Sequence, residues 1–208
     1  MVTGKKMKRK LPIERSARGC RNGGIARVLA ASLLLTCLAI PTAIAQISKP
    51  TEYDAKAAYL LNFGKFVRKP SRPTPRLSFD VCLLGHDSMG QTIDELAANQ
   101  AIDNLPVHVR RIQDVTQAKG CAIVFISADE GERLREDLAI LSPSDALTVS
   151  DASNFLDCGG MIQFLLVENH VRFAVNLNAV NHAHLVLSSE LLRVASSVTG
   201  KPSTEDLP

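Results

Sequence analysis

The seven residues CAIVFIS (121–127) limit the fold more than any other stretch of this chain. They do not alternate, so neither side of the segment can be left facing water. A continuous apolar run of this length reads as a strand covered on both faces, as in a parallel sheet with helices above and below it. The flanking segments agree. LSFDVCLL (77–84) reads as a strand that ends at Gly85, and 88–98 reads as a helix. PVHVRRI (106–112) is β-rich and alternates, DEGERLREDLAIL (129–141) is a charged amphipathic helix, and LTVSD (147–151) is a short strand. MIQFLLV (161–167) and VRFAVNL (171–177) flank Glu168-Asn169-His170 and read as an antiparallel hairpin. Residues 178–198, NAVNHAHLVLSSELLRVASSV, read as one terminal helix approached through a loop. The expectation is an α/β single domain: a mixed, mostly parallel sheet with an antiparallel C-terminal hairpin and helices on both faces. In the common 2-1-3-4 strand order, 77–84 and 121–127 are neighbours.

The first 45 residues stand outside that pattern. Residues 1–27 hold nine Lys or Arg and one Glu, 28–40 form the uncharged run VLAASLLLTCLAI, and Ala43-Ile44-Ala45 places small residues at cleavage positions. A basic start, a short apolar core and an A-x-A site read as a secretory signal cut near Ala45, and the apolar run is short for a membrane span. The expected division is a signal over 1–45, a domain over 46–200 and a flexible tail over 201–208. The whole chain has 24 basic and 21 acidic residues, net +3. Nine basic residues and one acidic residue leave with the signal, so 15 and 20 remain, net −5. The basic balance therefore belongs to the signal, and no basic stripe remains for nucleic acid.

TEYDAKAAYLLNFGKFVRKP (51–70) holds four of the nine aromatic residues, Tyr53, Tyr59, Phe63 and Phe66. Helical spacing sets Tyr53, Ala57, Leu60, Gly64 and Val67 on one side, with Thr51 as N-cap. KPSRPTPR (69–76) has three prolines and must end the helix. The apolar arc is wider than one core-facing stripe requires. The surplus, Tyr59 with Phe63 or Phe66, is therefore expected to form an exposed patch that meets another chain.

Motifs for chemistry are sparse. Gly85 to Thr92 has the frame of a phosphate loop, G-x-x-x-x-G-x-T, but Gln91 stands where the lysine belongs, so a tight turn is the expected reading. His86, His108, His170, His182 and His184 have no Cys or third His beside them to complete a metal set, and read as surface residues. No nucleophile–base set is visible. The expectation is a protein without catalytic residues, metal or cofactor.

Cys20 and Cys37 leave with the signal, so Cys82, Cys121 and Cys158 remain. An odd number allows one intramolecular pair at most. Cys82 and Cys121 fall on strands expected to be adjacent, although counting from the strand ends sets Cys82 three residues further along. A bridge there is either a structural staple or a redox switch. Cys158, before Gly159-Gly160, is the unpaired thiol.

The ordered set EYDAKAAYLLNFGKFVRKP, CAIVFIS, LTVSD, FLDCGGMIQF, VRFAVNLNAV and LSSELLRVAS resembles the YfiR-like family of bacterial proteins over about residues 50–198. Lys69 stands before Pro70, where members of that family often carry an aromatic residue. The resemblance implies a periplasmic repressor, not an enzyme. It would bind the periplasmic sensor domain of an inner-membrane diguanylate cyclase, lowering cyclic-di-GMP signalling and opposing biofilm. It also implies a homodimer, no nucleic-acid partner, no membrane-embedded segment, and a disulfide at Cys82 and Cys121, matching the family's recurrent bridge. The family's second cysteine pair is incomplete here, since Cys158 has no evident partner. A periplasmic small-molecule or anion-binding module, using loops at the carboxyl ends of the parallel strands, is the alternative reading.

Overall fold

The computed structural model describes residues 50–69 and 76–201. Residues 1–49, 70–75 and 202–208 lie outside the described residues, and with them the signal expected over 1–45 and the tail expected over 201–208 beyond its first residue. In chain order the elements are α1 (Glu52–Phe66), β1 (Val67–Arg68), β2 (Phe79–Leu84), α2 (Gly90–Ala97), β3 (Ala101–Ile102), β4 (Leu105–Ile112), β5 (Ile123–Ile126), α3 (Leu134–Leu141), β6 (Leu147–Ser150), β7 (Ile162–Val167), β8 (His170–Asn176), α4 (Leu177–His182), β9 (Val186–Leu187), α5 (Ser189–Val194) and β10 (Ser197–Thr199). A 3-10 turn over Val115–Ala118 leads into β5.

One eight-stranded sheet runs in the order β10-β8-β7-β6-β5-β2-β4-β3, and β1 pairs separately with β9. The centre is parallel, with β2 between β4 and β5. The expected 2-1-3-4 order is present as β4-β2-β5-β6. Antiparallel pairing occurs at β7–β8 and at β3–β4. The β7–β8 loop is two residues, Glu168 and Asn169, both at positive φ (50° and 60°). That geometry matches the right-handed twist of the strands it joins.

The unbroken apolar run in β5 has a direct physical cause. Ile123 and Phe125 point into one core, with α1 and α2, while Val124 and Ile126 point into the other, with α3. In β2, Val81 and Leu83 join the first core, and Cys82 and Leu84 the second. The sheet is thus covered on both faces. In β6 the second face is polar, and its hydroxyls are used locally. Thr148 Oγ1 accepts from the Met161 amide at 3.2 Å, and Ser150 Oγ from the Ala152 amide at 3.0 Å.

Two expectations need correction, and one further element is unexpected. Residues 178–198 are not one helix: they divide into α4, β9, α5 and β10. β9 is held by pairing with β1, a long-range contact, and Ser188 restarts a helix by accepting from the Leu191 amide at 3.3 Å. The helix expected over 129–141 begins at Leu134, after a 3-10 turn at Ala128–Glu130. β3 adds a hairpin through Asp103 and Asn104, both at positive φ.

Candidate functional site

Helix α1 starts where the sequence places it. The Thr51 side chain accepts from the Asp54 amide at 3.2 Å, and Asp54 Oδ2 accepts from the Thr51 amide at 2.8 Å. This reciprocal capping box satisfies two amides that a helix start otherwise leaves open. Asp54 Oδ1 also accepts from the Thr92 hydroxyl at 2.8 Å, which ties α1 to α2.

The aromatics of α1 are mainly core. Phe63 is 1 % exposed, with its ring 5.7 Å from Phe164 and 5.1 Å from Phe173 between centroids. Phe63 therefore cannot belong to an exposed patch. The arc is wide because α1 packs against α2, β8 and α5, not against a single surface. Tyr59 and Phe66 are half-buried, and Tyr59 lies 5.7 Å from Phe173. Tyr53, on the same side of the helix as Ala57 and Leu60 by spacing, is exposed where those two are buried.

Lys56, on the next turn of α1, is 6 % exposed. Its Nζ lies 2.7 Å from Glu52 Oε1 and 2.7 Å from Asp151 Oδ2, just past the carboxyl end of β6. Burial pulls the ammonium pKa down, but hydrogen bonds to Asp151 and Glu52 outweigh it and hold the pKa above the ordinary lysine value. Asp151 Oδ1 also accepts from the Ala128 amide at 3.0 Å, past the end of β5. Open parallel sheets usually take ligands in the crevice at the carboxyl ends of their strands. Here α1 locks that end with an ion pair. The nearby phosphate-like frame is engaged as well: Asp87 Oδ1 accepts from the amides of Met89 and Gly90, both at 3.0 Å. A tight, self-capped turn is the geometry observed at 85–92.

On the opposite face Cys82 and Cys121 form a disulfide with Cα atoms 6.0 Å apart. The register explains how. Cys82 is paired with Val124, three residues beyond Cys121. Cys121 is not on β5 as expected; it lies in the turn before it, and that turn carries its sulfur back to Cys82. Both residues are buried, at 0 % and 2 % exposure. Arg110 flanks the bridge, with Nη1 3.8 Å from Cys121 Sγ and Nη2 3.1 Å from the Gln117 carbonyl. Cys158 is a free, half-buried thiol against the same core.

The amino ends of the parallel strands hold the feature that sequence reasoning missed. A cleft of about 490 Å³ opens beside the first residues of β2, β5 and β6, namely Phe79, Ile123 and Leu147. Val67, Leu105 and Leu185 complete its apolar wall. One corner is charged: Lys69 Nζ donates to Asp145 Oδ2, and Arg76 Nη2 donates to Asp145 Oδ1 at 3.2 Å. Burial raises the Asp145 pKa, but the Lys69 hydrogen bond and the nearby guanidinium of Arg76 overcome it and hold the carboxyl below its usual range.

All five histidines are exposed. Among the described residues, no group of three His, Cys, Asp or Glu is placed to hold a metal ion, and no helix is long and apolar enough to cross a membrane. Leu166 and Val167 are exposed at the end of the β7–β8 hairpin.

A family model described as DUF4154, YfiR/HmsC-like, matches residues 53–196. No curated protein matches the chain. Among solved structures, the chain is similar to a conserved domain protein from Vibrio cholerae O1 biovar El Tor strain N16961, with TM-score 0.51 and 7% identity over 72% of this chain and 60% of that one. It is also similar to an ABC domain in complex with L-Trp from Streptococcus pneumonia, with TM-score 0.45 and 10% identity over 58% of this chain and 55% of that one. The chain thus spans between half and two thirds of each of these solved chains, and at such identities the first likeness concerns fold alone.

Proposed function

Because this chain belongs to the YfiR/HmsC-like family, we propose that it is a periplasmic regulator that binds the periplasmic sensor region of an inner-membrane diguanylate cyclase and represses it. In this reading the chain carries no catalytic residues. Its action is binding: it holds the cyclase in an inactive state for as long as its affinity for that state exceeds its affinity for the active one. The family match over 53–196 carries the proposal. The signal pattern of residues 1–45 supports export.

The contact surface is proposed on the flank of α1. Tyr59 and Phe66 are seven residues apart and so fall two turns apart on one stripe, with exposed Asn62 between them. A homodimer is part of the same proposal. The buried disulfide acts here first as a staple, since a reductant must open the second core before reaching either sulfur.

The test is made in the native host. Deleting the gene should raise cyclic-di-GMP, and restoring the full chain should lower it again. A form lacking residues 1–45 should leave it raised. Unchanged cyclic-di-GMP on deletion, or full complementation by the unexported form, would overturn the proposal.

A further inference from the structure

We propose that the cleft at the amino ends of β2, β5 and β6 is a binding site for an amphipathic monoanion, a small molecule with an aliphatic body and one carboxylate. Its volume, about 490 Å³, lies in the range of small-molecule sites. Phe79, Leu105, Ile123, Leu147 and Leu185 provide an apolar surface that excludes water from a ligand body. Such a surface would accept any apolar group; the charged corner is what selects.

Lys69 and Arg76 both point at the one carboxylate of Asp145, each taking one of its oxygens. Among the described residues, two cations on one anion leave a positive charge unmatched at the corner. The other acidic residue of the wall, Asp103, already faces Arg68, 3.7 Å away. An ammonium has three donors and a guanidinium five, and each gives one to Asp145, so both cations keep donors for a ligand oxygen. The side chains of Lys69, Arg76 and Asp145 are 24–30 % exposed, so solvent screens the corner less than an open surface. A ligand carboxylate there completes a two-cation, two-carboxylate set while its chain lies on the strand ends. A cationic amphiphile meets the opposite charge, and a neutral one forgoes the charge-assisted hydrogen bonds.

The site is independent of the proposed repression, and so is its test. Purified protein is titrated with decanoate, decan-1-ol and decyltrimethylammonium, each below its micelle concentration, using calorimetry and methyl NMR. Decanoate should bind saturably at one site, about tenfold or more tighter than decan-1-ol, as a charge-assisted hydrogen bond implies. It should shift the methyls of Leu105, Ile123, Leu147 and Leu185. The triple variant Lys69→Gln/Arg76→Gln/Asp145→Asn should bring decanoate down to the level of decan-1-ol. Leu105→Trp, at a half-buried position, should block both. No saturable decanoate binding, equal affinity for decanoate and decan-1-ol in the wild type, or methyl shifts confined to other residues would overturn the proposal. The wild-type comparisons decide it even if a variant fails to fold.

Discussion

Asp137 on α3 is 1 % exposed, and neither of its carboxylate oxygens has a hydrogen-bond partner among the described residues. Leaving a charge so placed is costly, and burial raises its pKa against a smaller opposing pull from Arg133; Glu130, Glu136 and Asp114 add to the rise. The sign follows from linkage. A carboxyl whose folded pKa lies above its unfolded one contributes stability below the unfolded value, and that stability is lost as pH rises through the folded value. Asp137→Asn should therefore raise the melting temperature at neutral pH, with the gain shrinking toward about pH 4. Thermal melts across pH check this. Gly64 makes the opposite case. An alanine ordinarily gains up to about 1 kcal/mol over glycine inside a helix. Here a Cβ would stand 2.7 Å from the Phe79 ring and 2.8 Å from Ile102 Cδ1. Gly64→Ala should cost about 1–2 kcal/mol in urea unfolding, where the exposed neighbour Asn62→Ala should be near neutral. Helical spacing sets Gly64 on one side of α1 with Ala57 and Leu60; the ring against it comes from β2, which periodicity in one segment cannot reveal.

At the scale of the element, α1 separates core from surface in a way that three substitutions can read. Phe63→Ala should cost about 3–5 kcal/mol, as for other buried aromatics. Tyr53→Ala should leave stability almost unchanged. Tyr59→Ala should fall between them and, if the proposed contact surface holds, also weaken binding to the proposed cyclase sensor region, because its ring is shared between the aromatic cluster and the surface. Urea unfolding and a pulldown with that region provide the two readouts; a Tyr59→Ala protein that binds like wild type would remove α1 from the contact surface. The sequence was clearest where one element's pattern is self-contained. β5 could be read from CAIVFIS because a strand covered on both faces has no polar side, and the β7–β8 hairpin because its turn is local. The C-terminal segment was misread because Leu185, Leu187 and Leu191 suit a helix as well as they suit a strand followed by a new helix. Only β1, more than a hundred residues earlier, decides between them.

Over the whole molecule, the disulfide joins the turn before β5 to the central strand β2 across a separation of 39 residues. Cys82→Ser should lower stability by roughly 3–4 kcal/mol in the chain-entropy account. Because both sulfurs are buried, reduction of the folded protein should be slow and should accelerate in urea near the unfolding midpoint. Thiol labelling against time checks this, and fast reduction without unfolding would argue for a switch. The bridge itself was partly legible, since the strand order made Cys82 and Cys121 neighbours, but the turn that corrects their register was not. The cleft was not legible at all. Its walls come from the ends of three strands together with β1, β4 and the segment before β9, and no short stretch of sequence contains it.

The aromatic cluster also sets an order in time. Tyr59 and Phe63 are made early in synthesis, yet the rings that enclose them, Phe164 and Phe173, come more than a hundred residues later. Contacts so distant along the chain form late, because the loop between them must be closed first. While the chain is still emerging, α1 has no partner for its widest apolar side. A version ending before β7 should therefore stay unfolded although it contains most of the parallel strands. Completion of the first core must wait for the hairpin, so the earliest helix to appear is among the last to be secured.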